Sequence, residues 1–207
     1  MLFRSRKPDW LDHVDAAALG LAGITALWAI EDTARLKAGE TILIHGGAGG
    51  VAGLAIQLAH HVGAKVITTA SAVNHTYVKS LGADEVIDYT AQDFARAVEP
   101  CDVVFDTVGG DTGVRSYEVL KPGGRLVWIA ATPDGFVPTR QDVVSSRPAV
   151  LRDRSHLQRM LTLLEAGQLK VPPIQRFPLE QAARAHRISE GRHLRGKLVL
   201  EVRTAAR

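Results

Sequence analysis

A chain of 207 residues corresponds to between one and two domains at roughly 150 residues each, so one full hydrophobic core is within reach and two are not. A composition 46% hydrophobic and 23% charged excludes collagen-like, low-complexity and disordered classes. The 25 basic residues against 22 acidic ones leave a formal charge of +3, too mild for nucleic acid to be the main partner and compatible with a small anionic ligand.

Residues 16–30 form an uncharged apolar run, shorter than the roughly 20 residues of a membrane span and interrupted by Gly20, Gly23 and Thr25, which predicts a buried helix. Asp9, Asp12 and Asp15 break what would be a basic leader, so no signal peptide and no membrane segment are expected. Short β-branched runs then follow at 41–44, 66–69, 85–87, 103–105 and 126–129. Uniformly apolar strands separated by helical patterns predict a parallel sheet covered on both faces. After the first run, Val51, Leu54, Ala55, Leu58, Ala59 and Val62 share one 3.6-period stripe that must pack on the sheet. Residues from about 40 to 150 therefore read as α/β, a doubly wound parallel sheet of Rossmann type.

Within residues 141–151 the sequence offers a sixth strand, with Val143, Val144 and Val150 as its apolar positions and Pro148 tolerated only at an edge or bulge. A solvated start at Arg152, Asp153 and Arg154, with Asp153 as cap, leads into a helix striped by Leu157, Met160, Leu161 and Leu164 that ends near Gly167. Pro172 and Pro173 break the chain. A helix over 178–189 stopped by Gly191 and a final strand over 197–202 complete it. The expected division is a lead-in segment (1–35), a dinucleotide-binding domain (36–167) and a C-terminal helix and strand (168–207).

Gly47, Gly49 and Ala52 satisfy G-x-G-x-x-G/A where a predicted strand turns into a predicted helix. Glycine permits the tight turn and lets backbone N–H groups approach a pyrophosphate at the helix N-terminus. The alternative is a turn that only packs a helix on a strand. The run from Gly191 to Lys197 also matches G-x-x-x-x-G-K, but Leu198 follows where Ser or Thr should bind Mg²⁺, and the segment leads into a strand, so an NTPase is rejected. No G-x-S-x-G elbow exists. A methyltransferase also uses a glycine-rich first turn, but His45 stands where such proteins commonly carry an acidic residue.

An NAD site has an acidic residue about 20 positions past the glycines. Here the second strand ends in Thr68, Thr69, Ala70 and Ser71, and the next carboxylate is Asp84. Ser71, Asn74 and His75 could donate to a 2′-phosphate, which favours NADPH over NADH; alternatively Ser71 and Asn74 cap the following helix.

The chain resembles the zinc-free medium-chain dehydrogenases/reductases of the quinone oxidoreductase type. The resemblance rests on an ordered series: 22–26 (AGITA), 45–51 (HGGAGGV), 80–89 (SLGADEVIDY), 102–110 (DVVFDTVGG), 120–127 (LKPGGRLV) and 192–199 (RHLRGKLV). It implies NADPH binding and hydride transfer to a small-molecule substrate, a quinone or activated alkene. Carried over by motif, Gly49, Gly50 and Val51 would meet the pyrophosphate, with Gly46 in the same turn. Ser71 and Tyr89 would flank the 2′-phosphate, with Asn74 and His75 close by, and Thr107 and Val108 would lie over the adenosine ribose. Thr25, Ile129, Ala130, Arg192 and Lys197 would lie nearer the nicotinamide. Around Asn74 and His75 the family commonly has a lysine, and Ala52 replaces a usual glycine.

The resemblance further implies homodimers joined at the open sheet edge and an N-terminal GroES-like domain, most of which is expected to be missing here. A dedicated short form, a subunit whose partner supplies that domain, and a chain start set too late all stay open. So does a nucleotide-binding module without independent catalysis. The lead-in helix and final strand are accordingly expected to leave apolar faces exposed or covered by another subunit.

No residue stands out as a catalytic acid or base, and no metal site is expected. The single cysteine, Cys101, cannot close an intrachain disulfide, which fits a reducing, cytoplasmic setting, and it reads as a small buried residue. His60 and His61 point about 100° apart on a helix, unsuited to chelating one metal. His156, His186 and His193 read as surface or packing residues.

Overall fold

In the computed structural model, residues 6–202 are described except 139 and 152; Arg152 of the predicted helix start therefore lies outside the described residues. Six strands, β1 (Thr41–Ile44), β2 (Lys65–Thr69), β3 (Glu85–Ile87), β4 (Cys101–Asp106), β5 (Leu120–Trp128) and β6 (Val144–Ser146), form one sheet of order β3-β2-β1-β4-β5-β6. Every pairing is parallel. This is the doubly wound order, in which successive strands are laid outward from β1 in one direction and then from β4 in the other, opening a crevice between β1 and β4 at the strands' carboxyl ends.

Alternation along the central strands divides the core in two. Ile42, Ile44, Val103 and Phe105 pack on one face, and Leu43, Val104, Leu126 and Tyr117 on the other, as a sheet with both faces covered requires. The first face carries α1 (His13–Leu27), α2 (Gly50–Val62) and α6 (Arg154–Glu165). Gly23 on α1 is the contact that lets α6 in: a Cβ there would sit 2.2 Å from the Met160 sulfur.

Helix α1 begins at His13, capped by Asp12 accepting from the Asp15 N–H, and runs on through a π-helical turn at Trp28–Thr33. Residues 13–33 thus reach 21 residues at a mean hydropathy of 1.5, enough by length and composition to cross a membrane, with 56% of the most apolar window buried inside the fold. The expected shortness of this segment is therefore corrected; what its apolar character serves in the fold is packing against α2, α6 and the C-terminal strands. Leu21 and Trp10 remain exposed, while Leu19, Ile24 and Leu27 are fully buried, so most of the face expected to lie bare is covered by this chain itself.

Further differences have local causes. β5 starts at Leu120, six residues before its predicted start, because Cys101 pairs with Leu120 ahead of a register shift. Only Val144–Ser146 of the predicted sixth strand forms; Val150 lies outside it with φ +42°. The sequence reading missed β7 (Ile174–Pro178), which pairs in parallel with β8 (Lys197–Glu201) as a second sheet; its Pro-flanked, mixed run carries no strand signal by itself. The last helix, α7 (Ala182–Glu190), starts four residues later than predicted, after a 3₁₀ turn at Leu179–Gln181. Asp153 caps α6 as expected, accepting from the His156 N–H at 2.9 Å.

Candidate functional site

The turn between β1 and α2 needs its glycines for close approach. Gly46 has φ +73°, and a Cβ there would lie 3.0 Å from Thr107 Oγ1; one on Gly47 would lie 2.2 Å from Thr68 Oγ1. Gly49 is the N-cap of α2 and offers no side-chain cap. The first N–H groups of α2 are therefore left without a side-chain acceptor at the positive end of the helix dipole, an arrangement that takes an anion.

Beneath this turn lies a buried polar chain that fixes it. The Gly46 N–H donates to Thr69 Oγ1 at 3.0 Å, and that hydroxyl meets His45 Nδ1 at 3.3 Å. His45 Nε2 meets Ser116 Oγ at 3.2 Å, and Ser116 donates to the Thr112 carbonyl at 2.7 Å. One assignment satisfies all four contacts: Thr69 donates to Nδ1 and the Nε2–H donates to Ser116, so the imidazole is neutral. Burial agrees, pushing the His45 pKa down to about 3.

The end of β4 is tied to the same place. Thr107 donates to the His45 carbonyl at 2.8 Å. Asp106 accepts from the Val108 and Gly109 N–H groups, shaping the turn that faces the glycines. Burial pushes the Asp106 carboxyl above the ordinary carboxylate range, opposed by these two N–H groups.

At the end of β2, Asn74 Nδ2 donates to Ser71 Oγ at 3.1 Å. Ser71 and Asn74 stand at the N-cap positions of the 3₁₀ turn Ala72–Asn74 and of α3 (His75–Ser80), but neither side chain makes a capping bond. The capping alternative is thus set aside. Asp84, the next carboxylate in sequence, accepts from the Val66 N–H at the other end of β2.

These segments enclose a cleft of about 740 Å³ at the carboxyl ends of the strands, within the roughly 300–1,000 Å³ of small-molecule sites. Of the residues singled out in the sequence, Gly46, Gly49, Ser71, Asn74, Tyr89, Thr107, Val108, Ala130 and Arg192 line it. An adjoining cavity of about 630 Å³ shares Gly46, Tyr89, Val108 and Arg192 and extends to Phe94 and Arg115. Thr25, Gly50, Val51, His75, Ile129 and Lys197 do not line the cleft. Thr25 is buried in α1 and donates to the Leu21 carbonyl. Val51 and Ile129 pack on the core. His75 Nε2 lies 3.2 Å from the Ala70 carbonyl. Gly50 lies under the Lys197 side chain, whose Cδ would be 2.2 Å from an added Cβ.

Sequence reasoning missed the places of His193 and Arg195. His193, set aside as a surface or packing residue, lines both cavities, its Nδ1 3.4 Å from the Tyr89 hydroxyl. Arg195 reaches Asn74 across 121 positions of sequence. The signals for either were membership in the 191–197 run and in the 192–199 motif of the resemblance. Cys101 is buried as expected, and burial pushes its thiol up to about 12. Among the described residues, no three His, Cys, Asp or Glu side chains form a group that could hold a metal ion.

Residues 81–200 match the family model described as zinc-binding dehydrogenase. The chain belongs to this dehydrogenase family. Among curated relatives it is 38% identical over 200 residues to the chloroplastic NADPH-dependent alkenal/one oxidoreductase of Arabidopsis thaliana, covering 94% of this chain and 48% of that protein. It is 32% identical over 214 residues to the quinone oxidoreductase of Pseudomonas aeruginosa, covering 93% and 66%. The solved quinone oxidoreductase of Coxiella burnetii superposes with a TM-score of 0.88 at 39% identity, over 96% of this chain and 64% of that one. The resemblance read from the motifs therefore holds, and the chain spans about half to two thirds of these relatives.

Proposed function

We propose that the chain binds NADPH in the cleft and serves a reductase of the quinone or enone class. The observation that carries this reading is the uncapped N-terminus of α2, opening on a cleft whose β2 end presents Ser71 and Asn74. The site fits the cofactor: Gly49 and its neighbours form a cradle that side chains would fill, and the β2 end offers hydroxyl and amide groups where an NAD site has a carboxylate. In this reading Gly46, Gly49, Gly50 and Val51 face the pyrophosphate, and Ser71, Asn74, His75 and Tyr89 the 2′-phosphate side. Thr107 and Val108 lie along the ribose. Arg192 shares both cavities with Tyr89 and His193, which favours the adenosine side over the nicotinamide side first expected; Ala130 stays with the latter, while Thr25, Ile129 and Lys197 take no place on the cleft lining.

NADPH supplies the hydride. The chain's own part is to bind and orient it and to exclude water from one side. The titratable side chains described in the main cleft are Tyr89, Arg192 and His193; in this reading they stand at the adenosine side, away from the nicotinamide, so we assign no catalytic acid or base. The domain division at 35/36 and 167/168 belongs to the same reading, as does a cytoplasmic, reducing setting for the buried Cys101 thiol.

A second reading is a nucleotide-binding subunit without independent catalysis; the chain spans 48% of the Arabidopsis relative. A homodimer through the β6 edge, where Val144 is 60% exposed, is part of the proposal. A monomer by light scattering at micromolar concentration would overturn that part.

The test is a fluorescence titration of the pure chain with NADPH and NADH, followed by a quinone and enone turnover screen. Tighter binding of NADPH supports the site. Gly49→Val should abolish binding of both nucleotides while the circular dichroism stays that of the folded protein, because the added group enters the cradle. Binding unchanged in Gly49→Val would refute the assignment; steady NADPH oxidation would decide for the enzyme over the subunit.

A further inference from the structure

The exposed guanidinium of Arg195 is held in three ways beside Asn74, which lines the cleft. Its Nε donates to Asn74 Oδ1 at 2.7 Å. Its Nη2 donates to the Val73 carbonyl at 2.8 Å. Its plane lies over Tyr77, with Cζ 5.2 Å from the ring centroid. A surface arginine normally keeps its rotamer freedom, and fixing one costs entropy that a lone ion pair seldom repays. Here two hydrogen bonds and an aromatic platform offset that cost without any carboxylate being involved.

The consequence falls on Asn74. An asparagine amide can present either its oxygen or its NH₂ to a neighbour, and the two ends have opposite electrostatic sense. With Oδ1 engaged by the Arg195 Nε–H, the NH₂ end is turned to Ser71, to whose Oγ it donates at 3.1 Å. One amide hydrogen is used in that bond. The other makes no hydrogen bond to the described residues, and Ser71 and Asn74 both line the cleft at the end of β2, where the nucleotide ribose lies in doubly wound domains. A donor end backed by a fixed guanidinium suits a dianionic phosphate and gives little to a bare hydroxyl.

We propose that Arg195 is a positioning residue for discrimination of the adenosine 2′-phosphate, acting through the amide orientation of Asn74 and adding its own charge behind it. The inference rests on the NADPH reading of the cleft and deepens it by naming the residue that makes the phosphate preferred. Neither Ser71 nor Asn74 supplies a positive charge, and Arg195 brings one from the loop before β8.

The experiment measures binding of 2′,5′-ADP and 5′-AMP to the pure chain by calorimetry, a pair that differs only in the phosphate and needs no turnover. Wild type should prefer 2′,5′-ADP. Arg195→Ala should weaken 2′,5′-ADP roughly tenfold and leave 5′-AMP within about twofold. Arg195→Lys, which keeps the charge but loses the planar fork, should recover only part of the loss. The loss of 2′,5′-ADP affinity caused by Arg195→Ala should be smaller in the Asn74→Ala background than in wild type, leaving only the part carried by the charge itself, the non-additivity expected of coupled groups. Additive losses would overturn the action through Asn74. Wild-type preference unchanged in Arg195→Ala would overturn the inference while leaving the NADPH reading standing. No binding of either nucleotide by folded wild type would overturn both.

Discussion

The Gly196 N–H donates to the Ala48 carbonyl at 2.9 Å, and Gly49 and Gly196 form a parallel β-bridge. The loop before the last strand is thereby stitched to the glycine-rich turn, and Lys197 is drawn across Gly50. The site joins segments about 150 positions apart in the chain, and its shape depends on this backbone contact as well as on the glycines.

Gly196→Ala should therefore disturb fold and site together. Its φ is +75°, and a Cβ would lie 2.0 Å from the Pro173 carbonyl oxygen, a backbone atom that cannot simply rotate away. We expect a loss of about 1–3 kcal/mol of stability, with weaker nucleotide binding at temperatures where the variant is still folded. A melting temperature and affinity equal to wild type would show that the stitch is dispensable.

Ser71→Asp should reverse the order of NADPH and NADH. A carboxylate at the end of β2 repels a 2′-phosphate and accepts from a 2′-hydroxyl. Titrations of both nucleotides into wild type and variant decide it; the same order in both proteins contradicts the prediction.

His45 makes stability fall with acid. Its pKa is about 3 in the fold against an ordinary value near 6.5, so below about pH 6.5 the unfolded chain takes up a proton that the folded one refuses. Stability is lost as pH falls toward 3, at up to about 1.4 kcal/mol per pH unit from this one group. His45→Gln should be less stable than wild type at pH 7, and the gap should narrow between pH 6.5 and 4.5 in urea titrations. A gap independent of pH would mean the imidazole is charged or exposed.

His156 has the opposite sign. Its ring stacks on Trp28 at 4.6 Å between centroids, and its nitrogens contact Asp32 at 2.9 Å and Asp153 at 2.7 Å. Partial burial disfavours its charge, but the two carboxylates together outweigh burial and raise its pKa. Its contribution is thus full below about pH 6.5 and lost as pH rises through the raised folded value. The difference in melting temperature between wild type and His156→Gln should be larger at pH 5.5 than at pH 8.5; the reverse would contradict the clamp.

The sheet was legible in the sequence because its strands are buried on both faces and so read as continuous apolar runs, as at 41–44 and 103–105. The glycine turn was legible because close backbone approach admits only glycine, and that demand falls within a few consecutive residues. Edge and satellite elements were not: β6 forms only at Val144–Ser146 and β7 is fixed by pairing with β8, partners that no local pattern announces. Nor were the contacts of Arg195 and His193, or the proton order around His45. Each depends on atoms from segments far apart in the chain, from Ser116 to His45 and from Arg195 to Asn74. Sequence periodicity records which face of an element is buried; only the closed fold decides which polar groups meet.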